Sequence, residues 1–270
     1  MTQFIDIKNL NLCFSQASRK ADILKDITFS MGCQKLGVVG ESGSGKSMLM
    51  KSILGLVPST GTVTADKLWL DGDDLLHPKK QEDLIKSQQI SMVSQDPRAS
   101  LNPVMTIRAQ LQEVFYNKNI DGIEDRILQS LEEVQVDNPK RVLELYPHEI
   151  SGGMGQRIMI AMMIAMQPKL LIADEPTSAL DACIKHDILH LLEEKIEQYN
   201  MKLILISHDL PLVKKYCDEM LVMYKGEIVE QVQAKKIHES KHPYVQTLMN
   251  SVLRIDQDMD QHATFVREDS

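Results

Sequence analysis

The sequence predicts an α/β protein with a mainly parallel sheet core, an antiparallel β region beside it, and a helical subdomain inserted between two core strands. Three observations predict this. Short apolar runs, KLGVVG, ISMVS, KLLIAD, KLILIS and EMLVMY, alternate with longer segments of helical period, the pattern of a parallel sheet covered by helices. FIDIKNLNLCF and KLWLDG alternate apolar and polar residues instead, as antiparallel strands with one solvated face do. From Pro97 to about Met166 strand signals vanish, while VMTIRAQLQEVF and IEDRILQSLEEVQV carry helical spacing. The expected organisation is therefore a β/α core over residues 1–95 and 167–250, a helical subdomain over 96–166, and a polar, aperiodic tail over 251–270.

Composition narrows the function classes. The chain has 270 residues and 43% hydrophobic content, enough for a real core. Its longest uninterrupted apolar run, Ile158 to Met166, falls far short of the roughly 20 residues a bilayer span needs. The start, MTQFIDIKNL, carries an early Asp6 and no apolar core with a cleavage site, so no secretory signal and a cytosolic protein are expected. A net charge of −8 argues against duplex nucleic acid or anionic lipid as partners, since both are bound by clustered cations. Cys13, Cys33, Cys183 and Cys217 are dispersed without a CxxC pair, so they read as reduced thiols.

The first core strand leads into GESGSGKS, comprising Gly40, Glu41, Ser42, Gly43, Ser44, Gly45, Lys46 and Ser47. This matches GxxxxGK[ST] in its required setting, after an apolar strand and before the helical run SMLMKSILGL. The glycines let the backbone wrap a phosphate with its N–H groups, and the following helix directs its positive end at the same anion. Lys46 would reach the β- and γ-phosphates, and the Ser47 hydroxyl would bind Mg²⁺.

A second strand, in LLIADE, ends in paired carboxylates. Asp174 would hold Mg²⁺ through water, and Glu175, pointing differently, would polarise an attacking water as general base. Two further strand ends offer sensors. Gln95 follows ISMVS, where its amide could ligate Mg²⁺ or orient water, and His208 follows LILIS, where a neutral imidazole could touch a γ-phosphate. His186 and His190 are four apart in KHDILH, but no third ligand has suitable spacing, so they read as a solvated helix face. The stretch ISGGMGQR sets a hydroxyl and two glycines directly before the apolar run IMIAMMIAM. Glycines are costly there unless something approaches the backbone closely.

The ordered set GESGSGKS, Gln95, SGGMGQR, LLIADEP, SALD (Ser178 to Asp181) and SHD (Ser207 to Asp209) resembles the ATP-binding subunits of ABC transporters, over about Phe4 to Met249. The resemblance implies a P-loop NTPase fold of the ABC ATPase type, and ATP with Mg²⁺ as ligands. It also implies that Ser151, Gly152 and Gly153 close over ATP held by a second subunit rather than their own. Baring N–H groups at the positive end of a helix suits that task. Phe14 aligns with the family's adenine-stacking aromatic, a place where a strand Phe is equally often plain core, and Asp181 belongs to the loop that contacts the other subunit. The commonest signature has Gln where this chain has Met154. The variant SGGMxQR, with QDPRASLNP, YPHEISGGM and HPYVQ, is similar to the peptide and nickel importer branch. Gly155 stands where that branch often has a larger residue. The short C-terminus, with no cysteine after Cys217, leans toward nickel or metal-chelate systems.

By resemblance, then, the chain is an ATPase of a peptide or nickel importer at the cytoplasmic face of the membrane. Its partners would be a second ATP-binding subunit, a membrane permease and an extracellular substrate-binding protein, with no nucleic acid. A soluble ATPase of the same superfamily, in translation or DNA repair, is the alternative, but neither tandem cassettes nor a long coiled-coil insertion is present. A P-loop kinase would leave the signature and SALD without purpose.

Overall fold

The computed structural model describes residues 3–16, 19–77, 89–96, 100–116, 122–178, 180 and 182–250. Pro97, near the start of the helical subdomain expected over 96–166, and the tail over 251–270 lie outside them. The chain divides into two compact units, Met1–Lys80 with Leu205–Ser270, and Gln81–Ile204.

In the first unit, β1 (Ile5–Gln16) is the centre of an antiparallel sheet. It pairs with β2 (Arg19–Met31), with β4 (Gly61–Thr64) and with β5 (Lys67–Leu70), which in turn pairs with β6 (Asp73–Asp74). The alternation in FIDIKNLNLCF explains the sidedness: Ile5, Ile7, Leu10 and Leu12 are buried, and Lys8 and Asn9 are exposed. The step from Ile7 to Leu10 breaks the two-residue period. Here the register with β2 shifts, Asn9 takes a left-handed φ of 51°, and its N–H bonds Thr28 Oγ1 at 2.9 Å. This bulge keeps the apolar residues on one face through the change of phase. A second register shift, between Leu10 and Leu12, faces Asp26 on β2, whose φ is 48°.

The same unit holds a second set of paired strands. β3 (Lys35–Val39) runs parallel to β10 (Glu219–Tyr224), and β10 pairs antiparallel with β11 (Glu227–Gln233). Leu36, Val38 and Val39 on β3 and Met220 to Met223 on β10 are at most 1% exposed, as continuous apolar runs in a doubly covered sheet should be. α1 (Lys46–Leu54) follows β3, and α7 (Leu210–Tyr216) packs back on it. The contact is close: a Cβ added at Gly37 would lie 1.9 Å from Val213 Cγ1.

In the second unit, β7 (Ile90–Val93) pairs parallel with β8 (Leu170–Asp174); β9 (Lys202–Ser207) begins in this unit and ends in the first, which resumes at Leu205. Between β7 and β8 the described residues are helical or irregular, with α2 (Ile107–Phe115), α3 (Ile123–Glu133), α4 (Pro139–Val142), a 3₁₀ turn (Pro147–Glu149) and α5 (Gly152–Ala165). α6 (Ala182–Gln198) follows β8. α5 packs against α2, α3, α6 and β7, which accounts for its nearly unbroken apolar sequence: Ile158, Met159, Ile160 and Ala161 are at most 2% exposed. Buried Gln110 ties the segment before α2 to that helix, accepting from Asn102 N–H at 2.8 Å and donating to the Asn102 and Met105 carbonyls at 3.1 Å. Among the described residues, no helix is long and apolar enough to cross a membrane.

Gly37→Ala is expected to destabilise the fold by about 1–3 kcal/mol, the usual cost of overpacking. Adding Val213→Ala should recover part of that loss, and urea unfolding of both single variants and the double variant measures the coupling.

Candidate functional site

The phosphate loop runs from β3 into α1 within the first unit. Its glycines are placed by need. A Cβ at Gly40, whose φ is 155°, would lie 2.2 Å from the Met223 carbonyl oxygen. Gly43 has open space around it but a φ of 80°, which side chains rarely adopt. Gly45 is the N-cap of α1 at φ 104° and gives no side-chain cap, so the helix begins with its N–H groups uncovered by any side chain of the cap. Lys46 is 6% exposed, and its ammonium donates to the Gly40 and Glu41 carbonyls at 2.8 and 2.9 Å. The Ser44 N–H bonds the Glu41 carbonyl at 3.1 Å, and the Gly226 N–H bonds the Ser44 carbonyl at 3.0 Å. Ser44 Oγ is buried without a hydrogen-bond partner. Ser42 is exposed, and Ser47 is half-buried in the first turn of α1. An uncapped helix start, left-handed glycines and a buried lysine suit a polyphosphate.

The second unit holds the carboxylates. β8 delivers Asp174 at its last position, and Glu175 follows with φ 46°, a left-handed turn that sends two consecutive carboxylates in different directions. Both are half-buried. Gln95, exposed beyond the end of β7, is brought to Glu175, with Nε2 3.4 Å from Oε2. A side-chain amide beside a carboxylate that sits in reach of solvent is an arrangement able to orient a water molecule. The turn after Glu175 is closed locally, its carbonyl accepting the Ser178 N–H and hydroxyl, each at 3.2 Å.

The signature turn begins α5. Ser151 is the exposed N-cap, and its Oγ accepts the Met154 N–H at 3.2 Å. Gly152 has open space around it, whereas a Cβ at Gly153 would lie 3.2 Å from Ile184 Cγ2, so the second glycine lets α5 approach α6. Arg157, one turn on, donates to the Val134 carbonyl at 2.8 Å at the C-terminal end of α3. That anchor was not read from the sequence, where Arg157 figured only as a letter of the signature.

The remaining expected residues are distributed as follows. Phe14 is half-buried on β1, opposite Gly61, whose added Cβ would lie 3.0 Å from the ring. His208 is exposed just beyond β9 and precedes Asp209, which caps α7 through the Leu212 N–H at 3.0 Å. Asp181 lies outside the described residues. His186 and His190 are exposed on α6, and no cluster of three potential metal ligands occurs among the described residues. The sequence reading also missed Tyr244, whose hydroxyl oxygen accepts the Glu41 N–H at 3.1 Å.

Residues 24–178 match the family model described as ABC transporter. The chain is 42% identical over 257 residues to the dipeptide transport ATP-binding protein DppD of Haemophilus influenzae, covering 92% of this chain and 77% of that one. It is 38% identical to the oligopeptide transport ATP-binding protein OppD of Escherichia coli, over 93% of this chain and 76% of that one. Among solved structures it is similar to cbiO1 of Clostridium perfringens, part of the transporter complex cbiONQ, with TM-score 0.72, 25% identity, and coverage of 96% and 100% of the two chains. A dimeric post-hydrolysis ATP-binding cassette bound to ADP and Pi shares the fold at TM-score 0.72 and 23% identity, covering 85% of this chain and 98% of that one.

Ser151→Ala, by uncapping α5, is expected to lower stability by about 1 kcal/mol, and Ser151→Asp to retain the cap and the stability. Urea unfolding of the two variants checks both.

Proposed function

The chain belongs to the ABC transporter family, and on that premise we propose that it is the ATP-hydrolysing subunit of an importer for peptides, with nickel or metal chelates as the other cargo class of the same branch. The observation that carries the proposal is the complete order of phosphate loop, Gln95, signature turn and carboxylate pair, in a chain 42% identical to a dipeptide transport ATP-binding protein.

Each residue has a chemical role in this reading. Backbone N–H groups of the loop wound at Gly40, Gly43 and Gly45, with the Lys46 ammonium, bind the phosphates of ATP, and Phe14 stacks on adenine. By the resemblance, Ser47, Gln95 and Asp174 would be the ligands for Mg²⁺, which would supply positive charge against the developing charge of the phosphates. Glu175 accepts a proton from the attacking water as its oxygen bonds to the γ-phosphorus. The bond from that phosphorus to the β–γ bridging oxygen breaks, yielding ADP and phosphate. Gln95 orients the water and His208 touches the γ-phosphate. The carboxylate is aimed by the left-handed turn at Glu175.

Ser151, Gly152 and Gly153 serve the ATP of a second ATP-binding subunit, identical or related. ATP binds the closed pair better than the open one and so shifts that equilibrium; hydrolysis reverses it. Asp181 lies at the contact between subunits. The helical segments between β7 and β8 carry the movement to a membrane permease, which places the subunit at the cytoplasmic face, and an extracellular binding protein selects the cargo.

Glu175→Gln should leave ATP binding intact and reduce turnover by roughly 100-fold or more, as loss of a general base does; normal hydrolysis by this variant removes the base assignment. Ser151→Asp should hold its own ATP but fail to close with a partner, because its carboxylate would face a γ-phosphate; light scattering of the variant with ATP reads this out. Titrating the binding protein encoded beside this subunit with dipeptides and with metal chelates decides the cargo class.

A further inference from the structure

The phosphate loop is held from outside its own motif. The Gly226 N–H bonds the Ser44 carbonyl at 3.0 Å, and the Met223 carbonyl fills the space where a Gly40 side chain would be. The third hold comes from the C-terminal segment, where residues 243–250 are helical. Tyr244 sends its hydroxyl to the Glu41 N–H at 3.1 Å. Its ring lies on that of Tyr224 at the end of β10, with centroids 4.2 Å apart. The segment is itself tied down. Ser240 Oγ bonds the Glu230 carboxylate on β11 and accepts the His242 N–H at 3.2 Å, and neighbouring Val245 is fully buried.

The position of the Glu41 N–H gives this contact its meaning. That N–H and the Gly40 carbonyl belong to one planar peptide unit, in which the two groups point in opposite directions. The carbonyl accepts the Lys46 ammonium at 2.8 Å, and the N–H donates to Tyr244 on the other side. Any rotation of this plane would release both bonds. The Glu41 carbonyl, in the next plane, takes Lys46 and the Ser44 N–H together.

We propose that Tyr244 is a positioning residue for the phosphates of ATP: its hydroxyl locks the Gly40–Glu41 peptide plane and, through it, the ammonium of Lys46. The C-terminal segment thereby tunes nucleotide affinity without touching the nucleotide. This rests on the assignment of the loop to ATP. A phenol is needed because the group must reach the loop on a rigid ring and accept a hydrogen bond at its end. By resemblance HPYVQ marks the importer branch; in the structure its tyrosine bonds the phosphate loop.

Tyr244→Phe in the full chain keeps the ring on Tyr224 and removes the one acceptor. ATP should bind roughly three- to tenfold more weakly, the range for losing one hydrogen bond, with KM raised by the same factor and kcat at saturating ATP unchanged. The melting temperature without nucleotide should stay close to that of the wild type, which a merely structural role would not allow. Equal affinity in the two proteins overturns the proposal, as does a fall in kcat with KM unchanged, or a loss of affinity matched by a large fall in melting temperature. The wild-type titration separates the two readings: failure of the wild type to bind ATP defeats the proposed function and this inference with it, whereas a wild type and a variant that bind alike defeat this inference alone.

Discussion

The hold of the Gly40 and Glu41 carbonyls on the Lys46 ammonium is the interaction on which the rest depends. A cation that is 6% exposed needs polar partners in place of lost water, and two backbone carbonyls of the loop are among them. An ammonium tied to the loop's own carbonyls is fixed in place relative to the loop that would wrap an anion. The left-handed glycines follow from this hold, because only a tightly wound loop turns two successive carbonyls onto one ammonium.

Two helix starts are built by opposite means, for different tasks. α1 begins at Gly45 with no side-chain cap, leaving its first N–H groups to an anion. α5 begins at Ser151, which does cap the Met154 N–H, yet its hydroxyl is exposed and Gly152 has open space around it. The first start is organised by the loop that precedes it. The second is a helix end capped by its own exposed serine, with Gly152 in open space and Gly153 packed on Ile184.

Strand ends carry the chemistry for a reason of backbone geometry. Successive residues of a strand point to opposite faces, so two adjacent carboxylates at a strand end diverge. At Glu175 the left-handed turn fixes the direction further and brings its carboxylate to Gln95, which comes from the neighbouring parallel strand. Parallel pairing is what makes this possible, since it puts the C-terminal ends of β7 and β8 side by side. The strained backbone there is tolerated because the Ser178 N–H and hydroxyl close the turn behind it.

What the sequence determined by itself was whatever is written in contiguous residues. The phosphate loop, the carboxylate pair and the signature are each a few residues long; the apolar strands before the first two and the helices after all three follow from period alone. β1 and β5 were legible because one face of each is solvated. β2 was not, because a register shift opposite Asp26 breaks its alternation, and β11, EIVEQVQ, has no buried residue to mark it. Tertiary structure alone decided the contacts between distant segments. The bulge at Asn9 answers to its partner strand, Arg157 finds the end of α3, Gly37 makes room for Val213, and Tyr244 meets Glu41 across 203 positions of chain. A local pattern reports how a segment prefers to fold, but which hydroxyl satisfies a given N–H depends on where the whole chain has closed.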